Sequence, residues 1–387
     1  MKQHLIGGTA ALFVILFGAY SVRAHVHAQP QPQPVVAQSI DGDLDQNNDD
    51  GDSAAATDQM AAVADAASPH TVAYKVSSST PQYVLFSFDG SKSIAMLNET
   101  LDFTHTMAAQ NKPIKFTYFI NAAYFLTNEN ASLYQGPGEP RGTSAIGFST
   151  TAADIPLRIA AFNRAFAEGD EVGSHSSGHF DGTNWSEAQW QQEFDSFVSL
   201  MTNVAANNPT QKIDPPQFLA SIKGFRAPNL GFNQHLFDVM AKSGFTYDAS
   251  GTTKMGLWPT KDARGLWHIS LAAMHLGDNP NPIVSMDYNL WMRQSSGKEL
   301  DVKGTPQWDH DYNDVVAAYT NYFDTSYNGS RAPIVIADHF SKWNDGVYWE
   351  AMKTVAENVC GLPNVRCTTF SNLVDYLNTT GVPPIAN

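Results

Sequence analysis

Apolar and polar positions along the chain fall into blocks of changing period. Residues 83–88 form a short, nearly continuous apolar run stopped by Asp89-Gly90, the pattern of a buried strand ending in a turn. Ile94, Leu97, Leu101 and Met107 then recur at helical spacing. Residues 115–120 are aromatic and β-branched and predict a second strand, residues 155–166 a second helix, and residues 171–174 a third strand. Ser186, with a Glu downstream, opens a capped helix reaching Val204. Residues 222–225 and 245–247 bracket a helix that starts near Asn233. A continuous apolar strand at residues 333–337 precedes a helix around 347–359, a strand at 365–368 and a terminal helix at 371–377. Repeated strand–helix units predict an α/β fold with a parallel sheet, and so many of them point to a barrel more than to an open sheet. In such a barrel chemistry gathers at the C-terminal ends of strands, which singles out Asp89, His175, Arg226 and His339.

The front of the chain reads differently. Lys2 precedes an uncharged, apolar-rich stretch over residues 5–22, and Val26-His27-Ala28 offers small residues before a cleavage point. Residues 1–28 therefore read as a signal peptide, with an uncleaved membrane anchor as the alternative. Residues 29–70 carry eight Asp, no base and no aromatic residue, and are expected to be a disordered acidic linker. The run at 41–52 lacks the Gly and Glu that a calcium loop requires. That leaves residues 71–387 as the folded domain of an exported protein, secreted, periplasmic or at the cell surface.

Of the chain's net charge of −15, residues 71–387 carry −9, so nucleic acid is excluded as a partner. Cys360 and Cys367 are the two cysteines, and in an oxidising compartment their close spacing predicts one disulfide.

His175-Ser-Ser-Gly-His179 places two imidazoles four positions apart directly after a strand, a spacing that can grip one metal ion. Alone, each candidate has an ordinary reading: a turn residue for Asp89, a core histidine for His339, a surface residue for Arg226. Their order along the chain changes that. Ser87-Phe88-Asp89-Gly90, His175-Ser-Ser-Gly-His179, Arg226-Ala-Pro-Asn229 and Ile334-Val-Ile-Ala-Asp-His339 resemble, in sequence order, the motifs of the polysaccharide deacetylase family, carbohydrate esterase family four with the NodB-homology fold. The resemblance covers residues 80–380, and the surrounding text is most similar to the animal-type chitin deacetylases.

The resemblance implies a distorted (β/α) barrel of the polysaccharide deacetylase type, with fewer strands than eight. It also implies metal-dependent removal of N-acetyl groups from a glycan such as chitin or chitooligosaccharides. On it, His175 and His179 are metal ligands, Asp89 is the general base held by Arg226, and His339 is the general acid. The backbone N–H of Asn229 helps hold the oxyanion. The cofactor is a divalent metal, Zn first, and the partner an N-acetylated polysaccharide or oligosaccharide. One departure stands out: Gly90 occupies the place where the family has a second Asp as metal ligand, so the site is expected to be weakened. Asp181 is a spare carboxylate nearby, though such a residue more often caps a turn, and Asp287 is a loose candidate to orient His339. All eight Trp follow residue 184; Trp267 and Trp291 are the first choices for sugar contact, the rest being core. Two other readings stay open: a catalytically silent carbohydrate-binding protein, and a deacetylase of peptidoglycan.

Overall fold

The computed structural model describes residues 79–299 and 302–383. The expected signal peptide and acidic linker lie outside the described residues. In chain order the strands are β1 (Gln82–Asp89), β2 (Phe116–Ile120), β3 (Glu171–Ser174), β4 (Gly224–Phe225), β5 (Tyr247–Asp248), β6 (Thr252–Lys254), β7 (Thr260–Lys261), β8 (Trp267–His268), β9 (Leu271–Met274), β10 (Ile283–Val284), β11 (Ile334–His339) and β12 (Val365–Cys367). The α-helices are α1 (Ile94–Ala109), α2 (Asp154–Ala167), α3 (Glu187–Thr202), α4 (Val204–Asn207), α5 (Gln234–Lys242), α6 (Asp287–Ser295), α7 (Pro306–Tyr327), α8 (Trp343–Val359) and α9 (Phe370–Thr380).

The main sheet runs β11-β1-β2-β3-β4-β5-β8-β7, parallel except for the β7–β8 pair, with β12 beside the start of β1. A small second sheet, β10-β9-β6, leads back to the first edge. Ser285 donates its N–H to Ala272 O (3.0 Å) and accepts the Ala337 N–H on β11 (3.0 Å), and its Oγ bonds Val335 O (2.7 Å). The circuit is lopsided: β11, β1, β2 and β3 run four to eight residues, whereas β4, β5, β6, β8, β9 and β10 are fragments of two to four. The fold is thus α/β and a distorted barrel, as expected.

Alternation along β1 sorts its residues onto two faces. Val84, Phe86 and Phe88 pack outward into the larger core with α1 and α8; Phe88 meets Phe116 at 5.2 Å and Trp349 at 5.5 Å between ring centroids. Tyr83, Leu85, Ser87 and Asp89 face the barrel interior, which is layered. Low in the barrel, Tyr83 and Leu85 share a cluster with Leu373, Val374 and Leu377 of α9, which plugs this end. Phe119, Phe370 and Tyr247 form an aromatic layer above it; Phe119 and Phe370 sit edge-on at 5.6 Å and Tyr247 stacks on Phe370 at 5.5 Å. Above that layer lie Asp89 and its neighbours.

Expected helix starts at Ser186 and Asn233 are observed. Ser186 forms a capping box with Gln189, and the Asn233 side chain accepts the His235 and Leu236 N–H groups. The pattern predicts nothing regular between residues 251 and 332, yet α7 there spans 22 residues. Its buried face mixes Trp308, Val315 and Phe323 with Asp311, Tyr319, Tyr322 and Ser326, so no clean apolar stripe marks it. Cys360 and Cys367 are joined, fixing β12 to the end of α8. Among the described residues no helix is long and apolar enough to cross a membrane.

Candidate active site

Asp89 and His339 end neighbouring parallel strands and face each other in register, so β1 and β11 deliver a carboxylate and an imidazole to the same mouth. His175 and Arg226 follow the last residues of β3 and β4, and Ser174 and Phe225 pair directly. The sheet register therefore gathers four of the sequence-derived residues at one end.

Arg226 is the hub. It is fully buried and its guanidinium lies 4.4 Å over the Phe119 ring. Nη1 donates to Asp89 Oδ1 at 2.7 Å and to Ser87 Oγ at 3.0 Å, and Nε donates to Ala249 O at 3.2 Å. Its backbone carbonyl accepts from His175 Nδ1 at 2.7 Å. Burial alone would push the Asp89 carboxyl up, but the Arg226 charge, with His175 and His339 nearby, outweighs it and holds the group below the usual carboxylate range. Asp89 is therefore an ionised, buried proton acceptor.

The Nδ1 hydrogen bond fixes the His175 tautomer and leaves Nε2 with its lone pair free, the state of a metal-ligating imidazole. His179 lies beside it, ring centroids 4.9 Å apart, with its backbone at φ 60°. It keeps some solvent exposure at one edge, and its Nδ1 is buried without a hydrogen-bond partner. Burial pushes His175 down to about 4 and His179 to about 3, so both are neutral at physiological pH. Two neutral imidazoles, one locked by its other nitrogen, fit a divalent ion. The third protein ligand is the weak point: among the described residues, His175 and His179 belong to no group of three potential ligands whose donor atoms all lie within 4.8 Å of one another, with Asp89 or with any other acid or thiol. Gly90 has φ +91°, and a Cβ built there meets nothing within 4 Å. The one cluster of three potential ligands among the described residues is elsewhere, at Glu187, His235 and Asp238 on the surface, where Lys242 pairs with Glu187 and Arg264 with Asp238.

His339 is a quarter exposed and is gripped twice by buried Asp287: Nδ1 bonds Oδ1 at 2.7 Å and the backbone N–H bonds Oδ2 at 2.7 Å. The loose candidate Asp287 is thus the residue that orients His339, holding it through Nδ1 and the backbone N–H. Asp181 accepts the Thr183 N–H (2.8 Å) and hydroxyl (2.6 Å), which is turn capping. Asn229 is exposed on the tight turn three residues past Arg226, at φ 54°.

The two Trp choices separate. Trp267 is buried in the interior cluster with α9 and donates its indole N–H to Asn378 (2.9 Å), so it packs the plugged end and is not brought to the mouth. The sequence ranks it by residue type alone, and its place at the start of a short strand puts it low in the barrel. Trp291 stacks on Trp343 at 4.7 Å with parallel rings, and Trp343 in turn lies 5.3 Å from the His339 ring. Trp343, half-buried, is the outer ring of that pair; the signal for it was an aromatic residue four positions past the strand-end histidine.

No protein-family profile and no curated protein sequence matches the chain. Solved structures resemble it in overall form. A protein from Mycobacterium smegmatis described as a polysaccharide deacetylase aligns over 81% of this chain and 97% of its own, at 16% identity and a TM-score of 0.49. A family 4 acetyl xylan esterase from Clostridium thermocellum, solved with a cobalt ion, aligns over 78% and 93% at 14% identity and a TM-score of 0.39. A family 4 carbohydrate esterase from Streptomyces lividans, solved with acetate, aligns over 72% and 91% at 16% identity and a TM-score of 0.36. At these values the likeness is one of general architecture, and the chain's own residues carry the functional reading.

Proposed function

We propose that this chain is an exported, metal-dependent deacetylase of carbohydrate esterase family four, removing N-acetyl groups from a chitin-like glycan. The observation that carries the reading is the double role of Arg226: its side chain holds the ionised Asp89 and its carbonyl fixes the tautomer of His175. One residue thus ties the proton acceptor to the metal-binding pair.

His175 and His179 would hold the ion, which when bound polarises the amide carbonyl and makes water a better nucleophile. Asp89 takes a proton from the attacking water. The Asn229 N–H steadies the negative oxygen of the tetrahedral intermediate. His339, oriented by Asp287, gives a proton to the departing nitrogen as the C–N bond breaks, because an unprotonated amine is a very poor leaving group. Acetate and a free amino sugar result. Trp343, backed by Trp291, offers an aromatic face beside His339 for a pyranose ring. The disulfide supports an oxidising compartment and hence export.

One observation favours the silent-binder reading: Gly90 stands in place of a carboxylate, and among the described residues the imidazole pair belongs to no compact cluster of three potential ligands. Metal analysis of the purified chain, with acetate release measured on chitooligosaccharides, peptidoglycan and acetylxylan, separates the readings. Release from chitooligosaccharides alone supports the proposal, release from peptidoglycan alone redirects the substrate, and glycan binding with no release on any of them makes the chain a silent binder.

A further inference from the structure

The five-residue loop that carries both imidazoles is held on every side. Its carbonyls at His175, Ser176 and Ser177 are taken by the Asn121 side chain, the Ala122 N–H (3.2 Å) and the Ala123 N–H (3.0 Å). The Gly178 carbonyl accepts from the Ala145 N–H (2.8 Å) and Ser144 Oγ (3.2 Å). Two non-glycine residues of the loop, Ser176 (φ 64°) and His179 (φ 60°), sit in the left-handed region, a strained conformation that persists only where the surroundings impose it.

The loop's central amides are held by a single group. Glu193, fully buried on the inner face of α3, accepts the N–H of Ser177 at 2.7 Å and of Gly178 at 3.0 Å on one oxygen, and the Tyr134 hydroxyl on the other at 2.9 Å. It makes no ion pair among the described residues. Tyr134 in turn lies so close behind the loop that a Cβ on Gly178 would stand 2.3 Å from its hydroxyl. A carboxylate in a helix face otherwise made of Trp190, Phe194, Phe197, Leu200 and Met201 is costly unless its acceptor capacity is used.

We propose that Glu193 is a positioning residue for the metal-binding pair: by accepting the two amides between His175 and His179 it sets the loop turn that points both rings at one ion. The proposal rests on the reading that these imidazoles hold a metal. What matters is an acceptor at the right reach, so charge should be dispensable and length should not. Glu193→Gln keeps an acceptor oxygen at the same reach, whereas Glu193→Asp keeps the charge and withdraws the oxygens by about 1.5 Å, one carbon–carbon bond.

The test is Co(II) titration of the purified full chain by calorimetry and visible absorption, with circular dichroism to confirm folding. Glu193→Gln is expected to bind within about threefold of wild type with the same Co(II) spectrum, while Glu193→Asp loses roughly tenfold or more and its spectrum changes. Equal affinity in all three, or Asp binding better than Gln, would overturn the proposal, the latter in favour of a purely electrostatic role. These two variants decide the matter even if Glu193→Ala fails to fold. A wild type that binds no Co(II) refutes the metal reading itself, a separate outcome.

Discussion

Two carboxylates face the inside of this barrel from opposite ends, and the barrel treats them in opposite ways. Asp89, at the C-terminal end of β1, has a guanidinium at 2.7 Å and two imidazoles in its field. Glu171, at the N-terminal end of β3, has no cation partner among the described residues but four donors: Thr117 Oγ1 (3.1 Å), the Tyr247 hydroxyl (2.9 Å), the Ser371 N–H (2.9 Å) and the Ser371 hydroxyl. Both are buried. Burial pushes Glu171 up and its hydrogen bonds recover only part of that, whereas at Asp89 the charges outweigh burial and the group is pushed down. The layer of Phe119, Phe370 and Tyr247 lies between them, touching Arg226 on one side and Glu171 on the other. A buried acid latched by neutral donors staples α9 to the sheet; a buried acid held by a fixed cation keeps its charge and stays ready to take a proton. What distinguishes them is the partner supplied by the strand end, since burial is the same.

The largest expected effect breaks that contrast directly. Asp89→Asn keeps an oxygen for Arg226 but removes the proton acceptor, and should cut acetate release by roughly 10²–10⁴-fold. It should also lower the melting temperature, because the buried Arg226 guanidinium loses its counter-charge. Glu171→Gln should lower the melting temperature alone, with kcat unchanged. Steady-state assays beside thermal melts of the two variants check this, and a Glu171→Gln variant as inactive as Asp89→Asn would end the division of labour.

Next in size is the other staple at the closed end. Cys360 and Cys367 tie α8 to β12, which pairs with the first residues of β1. A loop this short should contribute about 2–3 kcal/mol on the chain-entropy account. Reduction should lower the free energy of unfolding by that much, read from a shifted denaturation midpoint, while kcat, measured well below melting, stays put. Loss of turnover in parallel with the disulfide would mean the two ends are coupled through the aromatic layer.

Much of this was legible in the sequence, and the failures share a cause. The residues at the mouth could be read because each follows a short apolar run, so strand ends and chemistry coincide at Asp89, His175, Arg226 and His339. Cap chemistry fixed the starts of α3 and α5. What escaped was whatever depended on partners distant in the chain. Asp287 was only a loose candidate, since its bond to His339 spans 52 positions. Trp267 was misplaced because a tryptophan's type does not say at which end of a barrel it lies. Glu193 hid inside an apolar helix stripe, where an acid signals a buried acceptor but not what it accepts.

Gly90 sharpens the open end. With φ +91° and open space at its Cβ, Gly90→Asp is strained by about 1 kcal/mol but not blocked. That cost falls on bound and free protein alike, so an added carboxylate beside the imidazole pair should tighten Zn(II) or Co(II) by roughly 10–100-fold, as ligand-shell changes do. Competition with a chelator of known strength measures it. Unchanged affinity would mean that another group already completes the site in solution.

The smallest effect is the most direct comparison of the two acids, because it reads their protons. A carboxyl whose folded-state pKa is depressed contributes stability that is present above its unfolded pKa and lost as pH falls through the folded one. That is Asp89, and its window lies in and below the ordinary carboxylate range. A carboxyl whose folded-state pKa is raised has the reverse sign: its relative contribution is greatest below the unfolded pKa and is lost as pH rises through the folded one. That is Glu171, with its window in and above that range. Each group can add a slope of at most about 1.4 kcal/mol per pH unit, so both are measurable by denaturant unfolding between pH 3 and 7. The stability of wild type minus that of Asp89→Asn should rise with pH, and that of wild type minus Glu171→Gln should fall. Two slopes of the same sign would mean that burial, and not the partner at each strand end, governs both acids.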